Sequence, residues 1–203
     1  ELKKETTLPQ PNTPYGISKL VAEEIHRGWS NKSSNRKLLI LRPGVVFGKG
    51  ENGNFTRLAA MIRKGRFLYP GRKDTIKASI YVKELVYQAN SLFKTQLAQI
   101  ETLNFAYYPA LTIEEIANKL ADVTGYSQPK IVLPASLLMF AARILGAIGF
   151  SKIGIHPDRV KKLMTSTNID GQKLYLAASK KYKYDFEEAL KDWYKDCNSG
   201  DLV

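Results

Sequence analysis

The run Leu38-Leu-Ile-Leu41 is apolar at every position, and it is closed at once by Arg42-Pro43-Gly44. A strand that faces solvent on one side alternates; a short continuous apolar run bounded by breakers is the mark of a strand buried on both faces, as in a parallel sheet. Parallel neighbours need helical crossovers, and the flanking sequence supplies them. Pro14 to Trp29 carries Ile17, Leu20, Val21 and Ile25 near helical spacing after Thr13-Pro14, a cap followed by a first-turn proline. Downstream of Pro43 come a glycine-rich loop to Gly53 and a basic helix from Asn54 to Lys64. Strands follow at Phe67 to Tyr69 and Thr75 to Val82, then a helix over Lys83 to Phe93 and a strand over Glu101 to Ala106. Thr112-Ile-Glu-Glu115 reads as a capping box for a helix ending at Gly125. Ile131 to Pro134 is a strand leading to a helix over Ala135 to Ile148, and Asp185 to Tyr194 forms the last helix. The pattern is α/β, without internal repeats.

The chain has 203 residues and a formal charge of +12. Such a charge invites phosphate contacts, but the densest patches, Arg57 to Arg72 and Lys173 to Lys183, lack stacking aromatics or a helix-turn-helix signature, so no nucleic-acid partner is expected. The lone cysteine, Cys197, excludes an intramolecular disulfide, and a cytoplasmic protein is expected. Pro134 to Phe150 is nearly continuous apolar sequence broken by Arg143; it is too short to span a membrane comfortably and reads as a helix buried in a small lobe or at a subunit contact. His26, on the first helix but outside the face that carries Tyr15 and Lys19, and His156 do not belong to a metal-binding cluster.

The chemistry-bearing residues are Tyr15-Gly-Ile-Ser-Lys19. A four-residue spacing at the start of a helix puts both side chains on one face, one turn apart. A neighbouring ammonium favours the phenolate and suits a phenol for proton transfer. Around this pair lie, in order, Pro11-Asn-Thr-Pro-Tyr-Gly-Ile-Ser-Lys-Leu-Val-Ala-Glu-Glu24, then Leu41-Arg-Pro-Gly-Val-Val-Phe-Gly48, then Ile80-Tyr-Val-Lys-Glu-Leu85. With these three motifs the sequence resembles the extended short-chain dehydrogenase/reductase family, in its NAD-dependent epimerase/dehydratase branch acting on nucleoside-diphosphate sugars.

The resemblance implies a Rossmann-type NAD(P)-binding fold, with the C-terminal part of the parallel sheet and a substrate loop over 1–103 and a smaller, mostly helical substrate-binding lobe over 104–203. It implies that Tyr15 and Lys19 are the catalytic pair and touch the cofactor, NAD or NADP, together with Gly44 and Val45. Asn54 matches a position that binds the substrate diphosphate, and Lys77 falls where many relatives carry an arginine, keeping the charge but losing the bidentate fork. A homodimer is expected of the full-length protein. Relatives begin with a glycine-rich strand–turn–helix that holds the dinucleotide and supply a serine or threonine before the tyrosine. Those features are missing from this sequence, so it reads as the C-terminal portion of a longer protein that alone binds NAD weakly and is inactive.

Gly48-Lys-Gly-Glu-Asn-Gly53 also fits G-x-G-x-x-G, with Asp74 downstream as the ribose partner, but Asp74 lies in a polar turn and the loop reads as a substrate loop. Two other functions fit the same residues: reduction or oxidation of a non-sugar alcohol of steroid or flavonoid type, and non-catalytic nucleotide binding on the same fold.

Overall fold

The computed structural model describes residues 1–95, 98–140, 164–197 and 202. The first helix, α1 (Pro14–Ser30), starts where the sequence provides a cap: Thr13 Oγ1 accepts from the Gly16 amide at 3.1 Å, and Pro14 occupies a first-turn position that has no use for an N–H. β1 (Leu38–Pro43) pairs in parallel with β5 (Ile100–Phe105), in register from Leu38 opposite Ile100 to Pro43 opposite Phe105. β2 (Val45–Phe47) pairs in parallel with β4 (Ser79–Tyr81), and β3 (Tyr69–Pro70) with β6 (Val132–Leu133). The helices α2 (Asn54–Arg63), α3 (Val82–Lys94) and α4 (Ile113–Thr124) lie between these strands in sequence, as parallel pairing requires. α5 (Gln172–Ala177) and α6 (Phe186–Asp196) complete the described elements. The two predicted capping residues behave as expected at α4, where Thr112 and Glu115 satisfy each other's backbone amides and Gly125 closes the helix at φ 74°.

Three differences from the sequence expectation have physical causes. The stretch expected to be loop after Pro43 contains β2, because Val45, Val46 and Phe47 are strand formers and Phe47 is buried against Phe55, with ring centroids 4.4 Å apart. The strand expected over Thr75 to Val82 shortens to Ser79–Tyr81, because the extended chain changes partner along its length: Ile76 bridges to Thr112, Lys77 to Thr167, and Val82 opens α3. α5, absent from the sequence expectation, starts after Asp170-Gly171, where Asp170 Oδ1 accepts from the Gln172 amide at 3.0 Å. Of the helix expected over Ala135 to Ile148, residues 135–140 are helical and the remainder lies outside the described residues, as does His156.

Two clusters form the core. The larger gathers Phe47, Phe55, Ile62, Tyr69, Ile80, Tyr81, Ile116, Leu120, Phe186, Leu190 and Trp193, drawing α2 and β3 together with α4 and α6. The smaller holds Leu92, Leu103, Phe105 and Leu174 under the β1–β5 pair. A fully buried carboxylate, Glu84, accepts from Gln88 Nε2 and the Tyr184 amide, each at 2.7 Å, tying α3 to the segment before α6.

Candidate active site

α1 is tied to the β1–β5 pair by polar contacts whose order fixes its direction. Arg27 Nη2 donates to Thr102 Oγ1 at 2.9 Å, and one turn earlier Glu23 meets Arg42. Moving toward the helix N-terminus therefore means moving toward the carboxyl ends of the strands. Tyr15 lies eight residues before Glu23, about 12 Å along the helix, whereas Gly44 is two residues beyond Arg42, about 7 Å along the strand. The Tyr15 end consequently rises past the carboxyl end of β1, the side on which open α/β sheets place ligands.

Tyr15 and Lys19 are both exposed, Tyr15 at 73%, and the Lys19 ammonium sits 5.3 Å from the centre of the Tyr15 ring. Among the described residues neither makes an ion pair, so a phenol hydroxyl and an ammonium stand one turn apart with hydrogen-bonding capacity to offer. His26 donates from Nδ1 to the Ala22 carbonyl at 2.7 Å. His26 does not lie off the Tyr15 face as expected: eleven residues are just over three whole turns, so it shares that face but stands about 16 Å away along the helix.

Gly44 is required by close approach. Its amide donates to the Phe105 carbonyl at 3.0 Å, and a Cβ there would stand 2.7 Å from the Ala78 carbonyl oxygen. Val45 donates to that same Ala78 carbonyl at 2.9 Å. The turn bearing Gly44 and Val45 is thus bonded to the residue next to Lys77. Lys77 Nζ donates to the Thr165 carbonyl at 2.7 Å, and burial pushes its pKa down from the ordinary lysine value. Asn54 is exposed in the first turn of α2, beyond the Gly48 to Gly53 loop. The structure brings Tyr15 to Lys19 and the Gly44 turn to the Lys77 segment; among the described residues no contact joins Asn54 to Lys77.

The loop from Gly48 to Gly53 has the form of a phosphate cradle but is filled from within. Glu51 Oε2 accepts from the Thr56 amide at 2.9 Å, and the Glu51 carbonyl accepts from the Thr56 hydroxyl. A carboxylate therefore already satisfies an orphan amide of the α2 N-terminus. Asp74, the ribose partner that reading needs, is held by Arg72 in an exposed turn, which keeps its carboxyl below the usual range.

Sequence reasoning missed the pair Arg42 and Glu23. Arg42 Nε and Nη2 donate to the two Glu23 oxygens at 2.9 and 2.7 Å, and Arg42 Nη1 donates to the Glu5 carbonyl at 3.1 Å. The signal was present: an arginine ending an apolar strand, which the structure leaves partly buried apart from the buried Ile40, needs a partner, and Glu23 lies one turn beyond Lys19. Among the described residues, no group of histidine, cysteine and carboxylate side chains could hold a metal ion, and no helix is long and apolar enough to cross a membrane.

Residues 1–96 match the model of the NAD dependent epimerase/dehydratase family. The chain is 29% identical over 197 residues to the N-acetyl-alpha-D-glucosaminyl-diphospho-ditrans,octacis-undecaprenol 4-epimerase of Escherichia coli O157:H7, a match covering 90% of this chain and 60% of that protein. UDP-N-acetylglucosamine 4-epimerase from Bacillus cereus superposes with a TM-score of 0.68 at 21% identity, covering 97% of this chain and 60% of that one. UDP-glucuronic acid 4-epimerase from Bacillus cereus, solved in complex with NAD, gives 0.64 at 18% identity, covering 97% and 57%. This likeness shows the fold, the Rossmann-type α/β architecture, and the chain spans about 60% of the length of these proteins.

Proposed function

We propose that this chain, whose residues 1–96 match the model of the NAD dependent epimerase/dehydratase family, contributes the catalytic pair and the substrate lobe to NAD-linked epimerisation or dehydration of a nucleoside-diphosphate sugar. The observation that carries this reading is the placement of Tyr15 and Lys19, adjacent on α1 and exposed beyond the carboxyl end of β1. Tyr15 Oη takes the proton from a sugar hydroxyl and later returns it. Lys19, its ammonium 5.3 Å from the ring centre, faces the charge that develops on the phenol oxygen during that exchange, and its N–H groups can meet a ribose hydroxyl. NAD, when bound, supplies reversible hydride acceptance at the sugar carbon. Exposed donors on Tyr15 and Lys19, on the same end of the β1–β5 pair as the Gly44–Val45 turn, suit the nicotinamide end of that cofactor.

In this reading residues 1–103 serve mainly the cofactor side and the substrate loop, and residues 104–203 mainly the substrate lobe. α2 and β3 are lent to the lobe's core, as the larger cluster suggests. Lys77 and Asn54 are the residues for the diphosphate. An exposed apolar stripe on α1 supports a homodimer, and a cytoplasmic location remains the expectation.

In the natural protein, Tyr15→Phe should lower turnover of UDP-N-acetylglucosamine with NAD by about 10²- to 10⁴-fold with little change in Tm, because it removes a proton-transfer group and almost no volume. Near-normal turnover in that variant would end the assignment.

A second reading concerns the carrier of the sugar. The Escherichia coli relative, matched over 90% of this chain, is named for a sugar on a polyprenyl diphosphate. A diphosphate is common to both carriers, so Lys77→Ala should weaken binding of whichever is used by about 10-fold or more while leaving NAD affinity unchanged. Calorimetry with UDP-N-acetylglucosamine and with detergent-solubilised N-acetylglucosaminyl-diphospho-undecaprenol separates the two. Equal affinity of Lys77→Ala and the unaltered protein for both would remove the diphosphate from the proposal.

A further inference from the structure

We infer that Arg42 and Glu23 form the positioning device that sets the Tyr15–Lys19 face against the Gly44–Val45 turn, an inference that rests on the function proposed above. A two-point fork does what a single contact does not. With Nε and Nη2 on the two carboxylate oxygens at 2.9 and 2.7 Å, it resists both sliding and rotation of α1 over β1. Both side chains are largely shielded, with relative exposures of 22% and 18%, so solvent screens the pair less than it would a surface pair.

The fork is itself held. Arg42 Nη1 reaches the Glu5 carbonyl, Glu5 Oε1 accepts from the Asn104 amide at 3.0 Å, and Asn104 Nδ2 donates to the carbonyls of Lys3 and Asp170, each at 3.2 Å. Asn104 lies opposite Arg42 in the β1–β5 register. The guanidinium therefore stands on a frame built from both strands and the segment before α1.

Position along the helix explains why this contact matters to the chemistry. Tyr15, Lys19 and Glu23 follow at four-residue steps, each turning the face by about 40°, so the fork grips the helix on the sheet side and the reactive pair is carried round toward the open side. Among the described residues, Arg42–Glu23 is the ion pair between α1 and β1, and the next tie, Arg27 to Thr102, lies a turn further from Tyr15. A helix rotation of about 10° displaces a tyrosine hydroxyl by about 1.5 Å, and misplacement by about 1 Å can cost on the order of 10²-fold in rate.

The test uses Arg42→Lys, which keeps the charge and loses the fork, Glu23→Gln, which keeps the shape and loses the charge, and the exchange Arg42→Glu with Glu23→Arg. In the natural protein with NAD and UDP-N-acetylglucosamine, each single variant should lower kcat by about 10- to 100-fold with KM within about threefold. Tm should stay within about 3 °C, and the exchange should recover about tenfold of the loss. A kcat within about twofold of the unaltered enzyme, or losses that follow Tm, would overturn the inference. Tyr15→Phe in the same assay separates the two claims: if it stays active the underlying reading fails, whereas an inactive Tyr15→Phe beside a fully active Arg42→Lys removes only the positioning role. A fluorine-19 label on Tyr15 needs no turnover. Its resonance should move in Arg42→Lys and return in the exchange variant at unchanged Tm, and a resonance that does not move overturns the inference whatever the substrate.

Discussion

The first and last helices are both amphipathic, but they are held by different forces. α6 buries Phe186, Ala189, Leu190 and Trp193 among the aromatics of β2, α2 and Tyr107, with Phe47 and Trp193 ring centroids 5.9 Å apart. α1 turns Ile17, Val21, Ile25 and Trp29 outward at 49, 50, 65 and 46% exposure, and instead spends its sheet side on Glu23, Arg27 and Ser30. Burial of apolar area is non-directional and sums over many contacts, so it gives stability. A forked ion pair on a frame of hydrogen bonds gives less stability but a defined angle. The helix that carries the candidate catalytic residues is thus the one held by directional contacts.

The contrast breaks most visibly at Trp193. Truncation to alanine in α6 removes a fully buried ring and should destabilise the chain by about 3 to 5 kcal/mol, read as the midpoint of urea unfolding at unchanged slope. A change below about 1 kcal/mol would show that the larger core cluster is not where the stability lies.

Asp192 is the exception within α6, a directional contact on the packing helix. It accepts from the Tyr81 hydroxyl at 2.6 Å and from Lys83 Nζ at 2.7 Å, and Lys83 also reaches Asp196 at 2.7 Å. Burial alone would lift the Asp192 carboxyl, but the hydrogen bonds from Lys83 and Tyr81 outweigh it and hold the pKa below the ordinary value. Hydrogen bonds to Asp192 and Asp196 raise that of Lys83. The depressed carboxyl contributes stability above the unfolded aspartate value near 3.9 and loses it as the pH falls through the lower folded value. The raised ammonium contributes fully below about 10.4 and loses its share only as the pH climbs past its folded value. Asp192→Asn should therefore cost about 1 to 2 kcal/mol across roughly pH 5 to 9, allowing for the partial exposure of Lys83. The difference from the unaltered chain should shrink below about pH 3, and thermal melts at pH 7 and pH 3 with equal differences would contradict it.

The parts of this molecule legible in the sequence are those written in local chemistry. Thr13-Pro14, the Thr112 to Glu115 capping box and the Leu38 to Leu41 run each name an element and its boundary, because caps and continuous apolar strands depend on neighbours within a few residues. β2 was not legible. Val45 to Phe47 become a strand only because Ser79 to Tyr81, more than thirty residues later, lie alongside, and such long-range pairing leaves no local period. The candidate site divides in the same way. Tyr15 and Lys19 are found by spacing on one helix, whereas Arg42 and Glu23, nineteen residues apart, meet only through the packing of α1 on β1. The filled α2 N-terminus is a subtler case, since the glycine pattern of residues 48–53 is visible but the Glu51 carboxylate in the cradle emerges only with coordinates.

The smallest expected effect on stability falls on α1, and it sharpens the comparison because the same substitution should have a large effect on association. Ile17, Val21, Ile25 and Trp29 recur every four residues, so they form one stripe turned away from the sheet-facing Glu23 and Arg27. Each is about half exposed within the chain, and burying what remains is worth on the order of 1 kcal/mol apiece. Two copies of such a stripe, packed against one another in an isologous contact, bury each residue twice, enough to contribute several kcal/mol toward a dimer before the cost of association is met. Within the chain Arg36 stacks over Trp29 at 5.1 Å, but Val21 and Ile25 belong to neither core cluster, and isoleucine, valine and serine have similar helix propensities. Val21→Ser with Ile25→Ser should therefore change unfolding free energy by less than about 0.5 kcal/mol per site while weakening self-association by about tenfold or more. Sedimentation equilibrium of the natural protein over a range of concentrations reads the second quantity and chemical denaturation at low concentration the first. An unchanged association constant would move the dimer contact off α1, and a large loss of stability at low concentration would mean that the stripe is packed within the protomer after all.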